Sequence, residues 1–309
     1  MEAFAQKEQK HLEFKQLQFN RHDKLEKKKD SIAYIRFYAY DTLAHQFVIK
    51  DMFVGKHKLP TYRVGYSAHK PERPLSGVFT YYDTKDRKKS EGILNNNNKI
   101  GSWIIYSEEN DTIISARQYY TTKGKATGNW QSWYEYPDKI RNNEYYENDS
   151  LQGVCTYYYA NGQMSAIETY ERGKLVDYKL FDEQGNQLFN ENYEPDVNAV
   201  FLPSKLKNKS KGEKPNDYKE LLKFIGDNLV YPEEAQKTGI IGHIFAIFVV
   251  ETDGTVSDIE VFADGYKPFE KEARRVIQLT SGKWSSGIEH NRKGRHYFTL
   301  PITFKLRSF

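Results

Sequence analysis

Apolar and polar positions alternate along most of this chain with a period of two, the spacing of side chains on a half-buried strand. Ala33, Ile35, Phe37 and Ala39 interleave with Tyr34, Arg36, Tyr38 and Tyr40, which predicts a strand from about residue 32. Further β runs fall at Phe47 to Val54 and around Tyr62 to Tyr66. Near the far end, Phe298, Leu300, Ile302, Phe304 and Leu306 point one way, and Tyr297, Thr299, Pro301, Thr303 and Lys305 the other. That alternation predicts a strand over His296 to Leu306 that covers a core with one face and leaves the other wet. The run from Gly242 to Val250 is continuously apolar from Ile244 onward, which reads as a strand buried on both faces. Asp253-Gly254 follows as a hairpin turn, with a return strand from Val256 to Phe262.

Helical spacing appears only in the last third. Asn216-Asp217 offers an N-cap, followed by Tyr218, Leu221, Leu222 and Ile225. Tyr231-Pro232-Glu233-Glu234-Ala235 opens a short helix with proline at its first position, and Gly239 stops it. A third helix begins near Pro268, with Phe269, Ala273, Val276, Ile277 and Thr280 on one face and Glu270, Lys271, Arg274 and Arg275 facing water.

The middle of the chain repeats. Gly77-Val78-Phe79-Thr80-Tyr81-Tyr82 returns as Gly101-Ser102-Trp103-Ile104-Ile105-Tyr106, then from Gly128 through Trp130 and Trp133, then from Gly153 through Cys155 and Tyr157. The spacings between the glycines are 24, 27 and 25 residues. A weaker copy covers Tyr178 to Gly185. Glycine opens each strand where the chain must bend tightly. The aromatics Phe79, Trp103, Trp130, Trp133 and Tyr157 supply large contact areas, and a turn such as Asn161-Gly162 closes a hairpin. A single hairpin cannot bury its face, but stacked copies share a continuous aromatic row. The pattern Gly-x-Trp-x-x-Tyr with Tyr170-Glu171-Arg172-Gly173-Lys174 resembles variant MORN repeats over about residues 75–190. That resemblance implies a β-meander scaffold and no reaction.

A second resemblance covers about residues 229–309. Tyr231-Pro232-x-x-Ala235, Gly239-Ile240-x-Gly242, Asp253-Gly254, Glu272-Ala273, Trp284 and Leu300-Pro301-Ile302-Thr303-Phe304 occur in the order of the TonB C-terminal domain. It implies two helices on a three-stranded antiparallel sheet that grips the N-terminal peptide of an outer-membrane transporter by adding it as a strand. Pro301 agrees with this independently, because proline lacks the N–H that a central strand needs and so marks an edge. The gripping face would then carry Tyr297, Thr299, Pro301, Thr303 and Lys305. Two departures stand out: Ser286 occupies the place where the family often has proline, and this chain shows neither a membrane anchor nor a long proline-rich spacer.

The fold expected is therefore mostly β, a repeat meander of MORN-like hairpins followed by a small α+β domain. Its parts are a polar leader (1–30), a β-rich region (31–194), a lysine-rich linker (195–215) and a TonB-like domain (216–309). Composition narrows the function. Hydrophobic residues make up only 38% while aromatics reach 15%, which suits wet, thin sheets built on Tyr and Trp. The net charge of +4 is accounted for by residues 203–215, whose five lysines stand against one glutamate. A basic excess on a linker rather than a folded face argues against nucleic acid. A lone cysteine, Cys155, excludes an intramolecular disulfide and reads as a core thiol. The eight histidines form no ligand pair, and no P-loop, G-x-S-x-G or dinucleotide fingerprint occurs, so no metal, cofactor or catalytic residue is expected.

These readings converge on a non-catalytic, periplasmic or envelope binding protein that captures a peptide by strand addition, coupled to TonB-dependent transport. The alternative is a structural envelope scaffold that binds peptidoglycan or a protein through the aromatic face of the repeats. Ala3-Phe4-Ala5 has the small-x-small form of a signal-peptidase site, read either as the end of a truncated signal peptide or as chance.

Overall fold

The computed structural model describes residues 14–19, 24–25, 33–53, 62–83, 85–202, 217–262 and 266–305. The signal-like Ala3 to Ala5 and the lysines of residues 203–215 lie outside the described residues. The chain divides into two units, Met1–Phe189 and Asn190–Phe309.

The first unit is a single antiparallel sheet. Its opening strands are β1 (Lys15–Phe19), β2 (Tyr34–Asp41), β3 (Gln46–Phe53) and β4 (Tyr62–Ser67). The repeats follow as hairpins: β5 (Gly77–Tyr82) with β6 (Lys88–Asn95), β7 (Asn98–Tyr106) with β8 (Ile114–Tyr120), and β9 (Gly128–Glu135) with β10 (Lys139–Glu147). After the two-residue β11 (Ser150–Leu151) come β12 (Gly153–Tyr158) with β13 (Met164–Glu171), and β14 (Lys174–Phe181) with β15 (Gln187–Leu188). The strands pair in chain order, with β11 off the path beside β10, so the expected meander is the observed one.

Two readings of this unit change. The polar leader is partly a strand: β1 pairs with β2, and Phe19 is buried and stacked on Tyr34 at 4.9 Å. On β2, the buried face holds Tyr34 and Arg36 rather than Ile35 and Phe37. Arg36 can be inside because its Nε and Nη2 donate to the two oxygens of Asp51 at 2.7 and 2.9 Å, while Nη1 donates to the Pro71 carbonyl at 2.7 Å. Arg63 Nη2 meets the same carboxylate at 2.7 Å. A buried charge is tolerated only when paired and hydrogen-bonded in this way.

The repeats are locked to one another at their turns. Leu75 N–H donates to Asn97 Oδ1 at 2.8 Å while Asn97 N–H donates back to the Leu75 carbonyl at 2.9 Å. Ala126 and Asp149 exchange the same pair of bonds at 2.7 and 3.1 Å. At the opposite end, Tyr134 Oη donates to the Tyr158 carbonyl and Tyr159 Oη to the Phe181 carbonyl, at 3.0 and 2.9 Å. These turn and strand-end residues thus satisfy backbone groups of the hairpin beside them.

The second unit begins with β16 (Asp196–Val197), α1 (Asp217–Asn228) and α2 (Glu233–Thr238). Next are β17 (Gly242–Val250), β18 (Val256–Phe262) and α3 (Lys267–Gln278), then β19 (Gly287–Glu289), β20 (Arg292–Gly294) and β21 (His296–Phe304). The main sheet has the order β18-β17-β21, and a small sheet has the order β16-β19-β20. Helix α1 buries Leu221 and Ile225, whereas Tyr218 and Leu222, expected on the same face, are exposed. Helix α3 buries the expected Phe269, Ala273, Val276 and Ile277. Strand β17 is central, but only one of its faces is fully buried, since Phe245 and Ile247 are half-exposed.

The early part of the expected linker belongs to this unit. Asp196–Val197 pairs with Glu289 and Ile288, and Phe201 is fully buried in the main core. Leu202 N–H donates to the Lys283 carbonyl at 2.6 Å and Ser285 N–H to the Val200 carbonyl at 2.8 Å. Composition favoured a solvated segment here, but the buried Ala199 and Phe201 and these backbone bonds dock it.

Candidate functional site

The candidate site is the long side of β21. Its nine residues pair with β17 without interruption, from Gly242 opposite Phe304 to Val250 opposite His296. Among the described residues no other strand lies against β21. Its burial alternates as expected: Leu300, Ile302 and Phe304 are buried, while Tyr297, Thr299, Pro301 and Thr303 are exposed. Lys305 is exposed too, one residue past the strand. On the wet face Thr303 meets His243 of β17, Oγ1 to Nδ1, at 3.0 Å.

Two aromatic clusters hold this strand from its core side. At its C-terminal end Phe304 stacks on Phe269 at 4.1 Å, with Tyr231 edge-on to both at 5.8 Å. Tyr231 Oη donates to the Ile240 carbonyl at 2.5 Å, tying the α2 turn to the cluster. Gly242 is required beside it, because a Cβ there would lie 2.9 Å from the Phe269 ring. Ala235 is fully buried on α2, whose N-cap is Pro232 and whose C-cap, Gly239, takes the left-handed conformation at φ 73°. At the N-terminal end Phe298 packs on Trp284 at 4.7 Å and on Phe248 at 5.8 Å, and Phe201 meets Trp284 edge-on at 5.2 Å. Trp284 Nε1 donates to Thr280 Oγ1 at 3.1 Å.

The Asp253-Gly254 turn is part of the same construction. Gly254 has φ 82°, and a Cβ on it would sit 2.3 Å from the Trp284 carbonyl oxygen, so only glycine fits. Asp253 accepts from the Thr255 hydroxyl and N–H at 2.6 and 2.9 Å, and these bonds hold its carboxyl below the ordinary carboxylate range. Nearby, burial pushes Glu251 up, but Arg295 and the Ser257 hydroxyl outweigh it and leave the carboxyl below its usual value. The motif residues Tyr231, Pro232, Ala235, Gly242, Asp253, Gly254 and Trp284 thus build and brace the module.

The opposite edge of the sheet is a poorer surface. Strand β18 loses register against β17 between Ile247 and Val249, and Asp258 adopts φ 46°. Arg274 Nη1 donates to the Ile259 carbonyl, and Val256 N–H donates to Ser281 Oγ at 3.0 Å. Bulges and side-chain capping of this kind blunt an edge against pairing.

In the repeats, Phe79, Trp103 and Tyr157 are fully buried and Trp130 is half-buried on the same face of the sheet. Trp133 lies three positions beyond Trp130 and so on the opposite face, edge-on to Tyr136 at 4.9 Å. Cys155 is buried as a core thiol, and its burial raises its pKa. Sequence reasoning missed the paired Arg36, Asp51 and Arg63 and the docked Phe201. The turn residues Asn97 and Asp149 carried a findable signal, recurring beside the repeat glycines.

A three-stranded antiparallel sheet, helices over one face, and one long straight edge held from behind by aromatic rings define a small strand-presenting α+β module. Residues 227–306 match the family described as Gram-negative bacterial TonB protein C-terminal. Among solved structures, the chain is similar to the C-terminal domain of Helicobacter pylori TonB, at 20% identity and a TM-score of 0.26, over 34% of this chain and 95% of that one. No curated protein matches the chain. No helix among the described residues is long and apolar enough to cross a membrane, and no cluster of His, Cys, Asp or Glu among them is fit to hold a metal ion.

Proposed function

We propose that this chain is a non-catalytic protein of the cell envelope that receives an extended peptide along β21, as a fourth strand of the β18-β17-β21 sheet. The observation that carries this reading is the contrast between the two edges: β21 is regular over its full length, and β18 is bulged and capped. Pro301 fits the proposal. Alternate residues of a strand turn their backbone groups to the same side, and a proline within a sheet turns its nitrogen away from its neighbour. Thr299 and Thr303 then present their N–H groups outward on either side of it. Main-chain bonding supplies the affinity in strand addition, and side-chain pockets supply the choice of partner. The family match supports an N-terminal segment of an outer-membrane transporter as the partner, a periplasmic setting, and coupling to TonB-dependent transport.

Titration of the full chain with synthetic N-terminal peptides of such transporters tests this. Saturable binding is expected, and replacing Thr299 and Thr303 together by proline removes two donors and lowers affinity at least tenfold. Unchanged affinity in that variant contradicts strand addition at β21.

A further inference from the structure

We infer that the third repeat carries a binding site for a single pyranose ring, in a cleft of about 240 Å³ over β8, β9 and β10. This inference is independent of the peptide edge, because it concerns the other unit.

The cleft exists because the sheet opens there. Strands β8 and β9 exchange only two residue pairs, Ala116 with Ser132 and Arg117 with Gln131. Strands β10 and β12 also exchange only two, Asn142 with Tyr157 and Asn143 with Thr156. The β9–β10 hairpin thus shares only short ladders with β8 and β12 and is held mainly at its ends, through Ala126 with Asp149 and Tyr134 with Tyr158, whereas the β6–β7 ladder runs through six pairs.

Comparison of the repeat copies shows what has changed. The residue two places after the repeat glycine is fully buried in the first, second and fourth copies, as Phe79, Trp103 and Cys155. In the third copy it is Trp130, which is half-exposed and lines the cleft. Opposite Trp103 stands Gly92, where a Cβ would meet the indole at 2.4 Å, so that aromatic is closely covered. Opposite Trp130 stands Glu144, a long polar side chain. Gln118, Ser132, Asn142 and Tyr146 line the cleft as well, and so does Arg117.

These groups match the chemistry of a sugar ring. A pyranose has an apolar C–H face and a rim of hydroxyls that both donate and accept. Trp130 offers the flat apolar surface and is held in place: its Nε1 donates to the Tyr119 carbonyl at 3.0 Å, and it packs on Tyr120 at 5.3 Å and Tyr146 at 4.5 Å. Gln118, Asn142 and Glu144 are planar groups with paired hydrogen-bonding atoms suited to adjacent hydroxyls. Glu144 is oriented by Tyr146 Oη at 3.4 Å and Asn142 Nδ2 at 3.5 Å. The Ser132 hydroxyl is buried in the wall with no hydrogen-bond partner, and buried polar atoms of that kind are uncommon. A slot of roughly 300–1,000 Å³ suits a drug-sized ligand; this cleft is smaller and sets the aromatic faces of Trp130 and Tyr146 beside a few polar groups, which fits one ring.

Calorimetric titration of the full chain with the N-acetylglucosamine tetramer and, separately, with maltotetraose tests the site. One saturable site is expected for at least one of the two probes. Binding of the first alone identifies an acetamido sugar, and binding of maltotetraose identifies general pyranose recognition. Trp130→Phe and the near-isosteric Glu144→Gln each lower affinity by roughly tenfold, about 1.4 kcal/mol, with melting temperatures close to the parent's. Failure of both probes to saturate, or equal affinity in Glu144→Gln and parent, overturns the inference.

Discussion

The two units solve the same problem, covering one face of an antiparallel sheet, by different means. The second unit places helices and a docked N-terminal segment over its sheet and fills the gap with Phe201, Phe248, Phe269, Trp284 and Phe304. The first unit has no helix among its described residues. Its apolar cluster centres on Ile49, Leu75, Phe79, Leu94 and Trp103, and beside it the sheet relies on paired charges and bonds between turns. A dry core holds an edge strand straight. A wet sheet tolerates openings, polar interiors and copy-to-copy variation. The difference explains why a rigid edge is found in one unit and a cleft in the other.

Breaking the charge pairing should show this contrast most strongly. Asp51→Ala leaves Arg36 and Arg63 buried without their shared carboxylate, and removing one partner of a buried pair costs about 3–5 kcal/mol. Urea unfolding followed by hydrogen exchange should show the first unit opening at lower denaturant and the second unchanged. Equal loss in both units would contradict their separate stabilisation.

Phe201→Ala sharpens the comparison from the other side. Truncating a buried phenylalanine costs about 3–5 kcal/mol, at the lower end here because the neighbouring Phe224 is half-exposed and free to relax. The loss is expected in the second unit, with exchange rising at Phe298 and Trp284. If exchange there is unchanged, residues 196–202 are not part of the module's core.

Acid should produce the smallest effect. The Glu251 and Asp253 carboxyls lie below their ordinary values of 4.5 and 3.8. A depressed carboxyl contributes stability above its unfolded pKa and loses it as pH falls through the folded one. The second unit should therefore weaken modestly below about pH 4, and Glu251→Gln should flatten that dependence. Asp253 is exposed and Glu251 only half-buried, so solvent screening keeps the change small.

Much of this architecture was legible in the sequence, for identifiable reasons. The repeat glycines announced the hairpins because their positive φ leaves few alternatives: Gly101, Gly128 and Gly153 lie at 63°, 69° and 72°. The alternation of β21 was readable because one of its faces is dry. The face of β2 was not, since hydropathy cannot foresee an arginine buried by a carboxylate fifteen residues away. Trp133 needed only the period of two, which puts it three positions along the strand and on the opposite face from Trp130. The docking of Phe201 depended on Trp284, 83 positions later, which no local pattern conveys.

Amide hydrogen exchange on β21, with and without a transporter N-terminal peptide, tests the strand-addition reading most directly. Slowed exchange at Thr299 and Thr303, with the β18 amides unaltered, is the expected result. Peptide binding that leaves both threonine amides exchanging as before would place the partner elsewhere and contradict it.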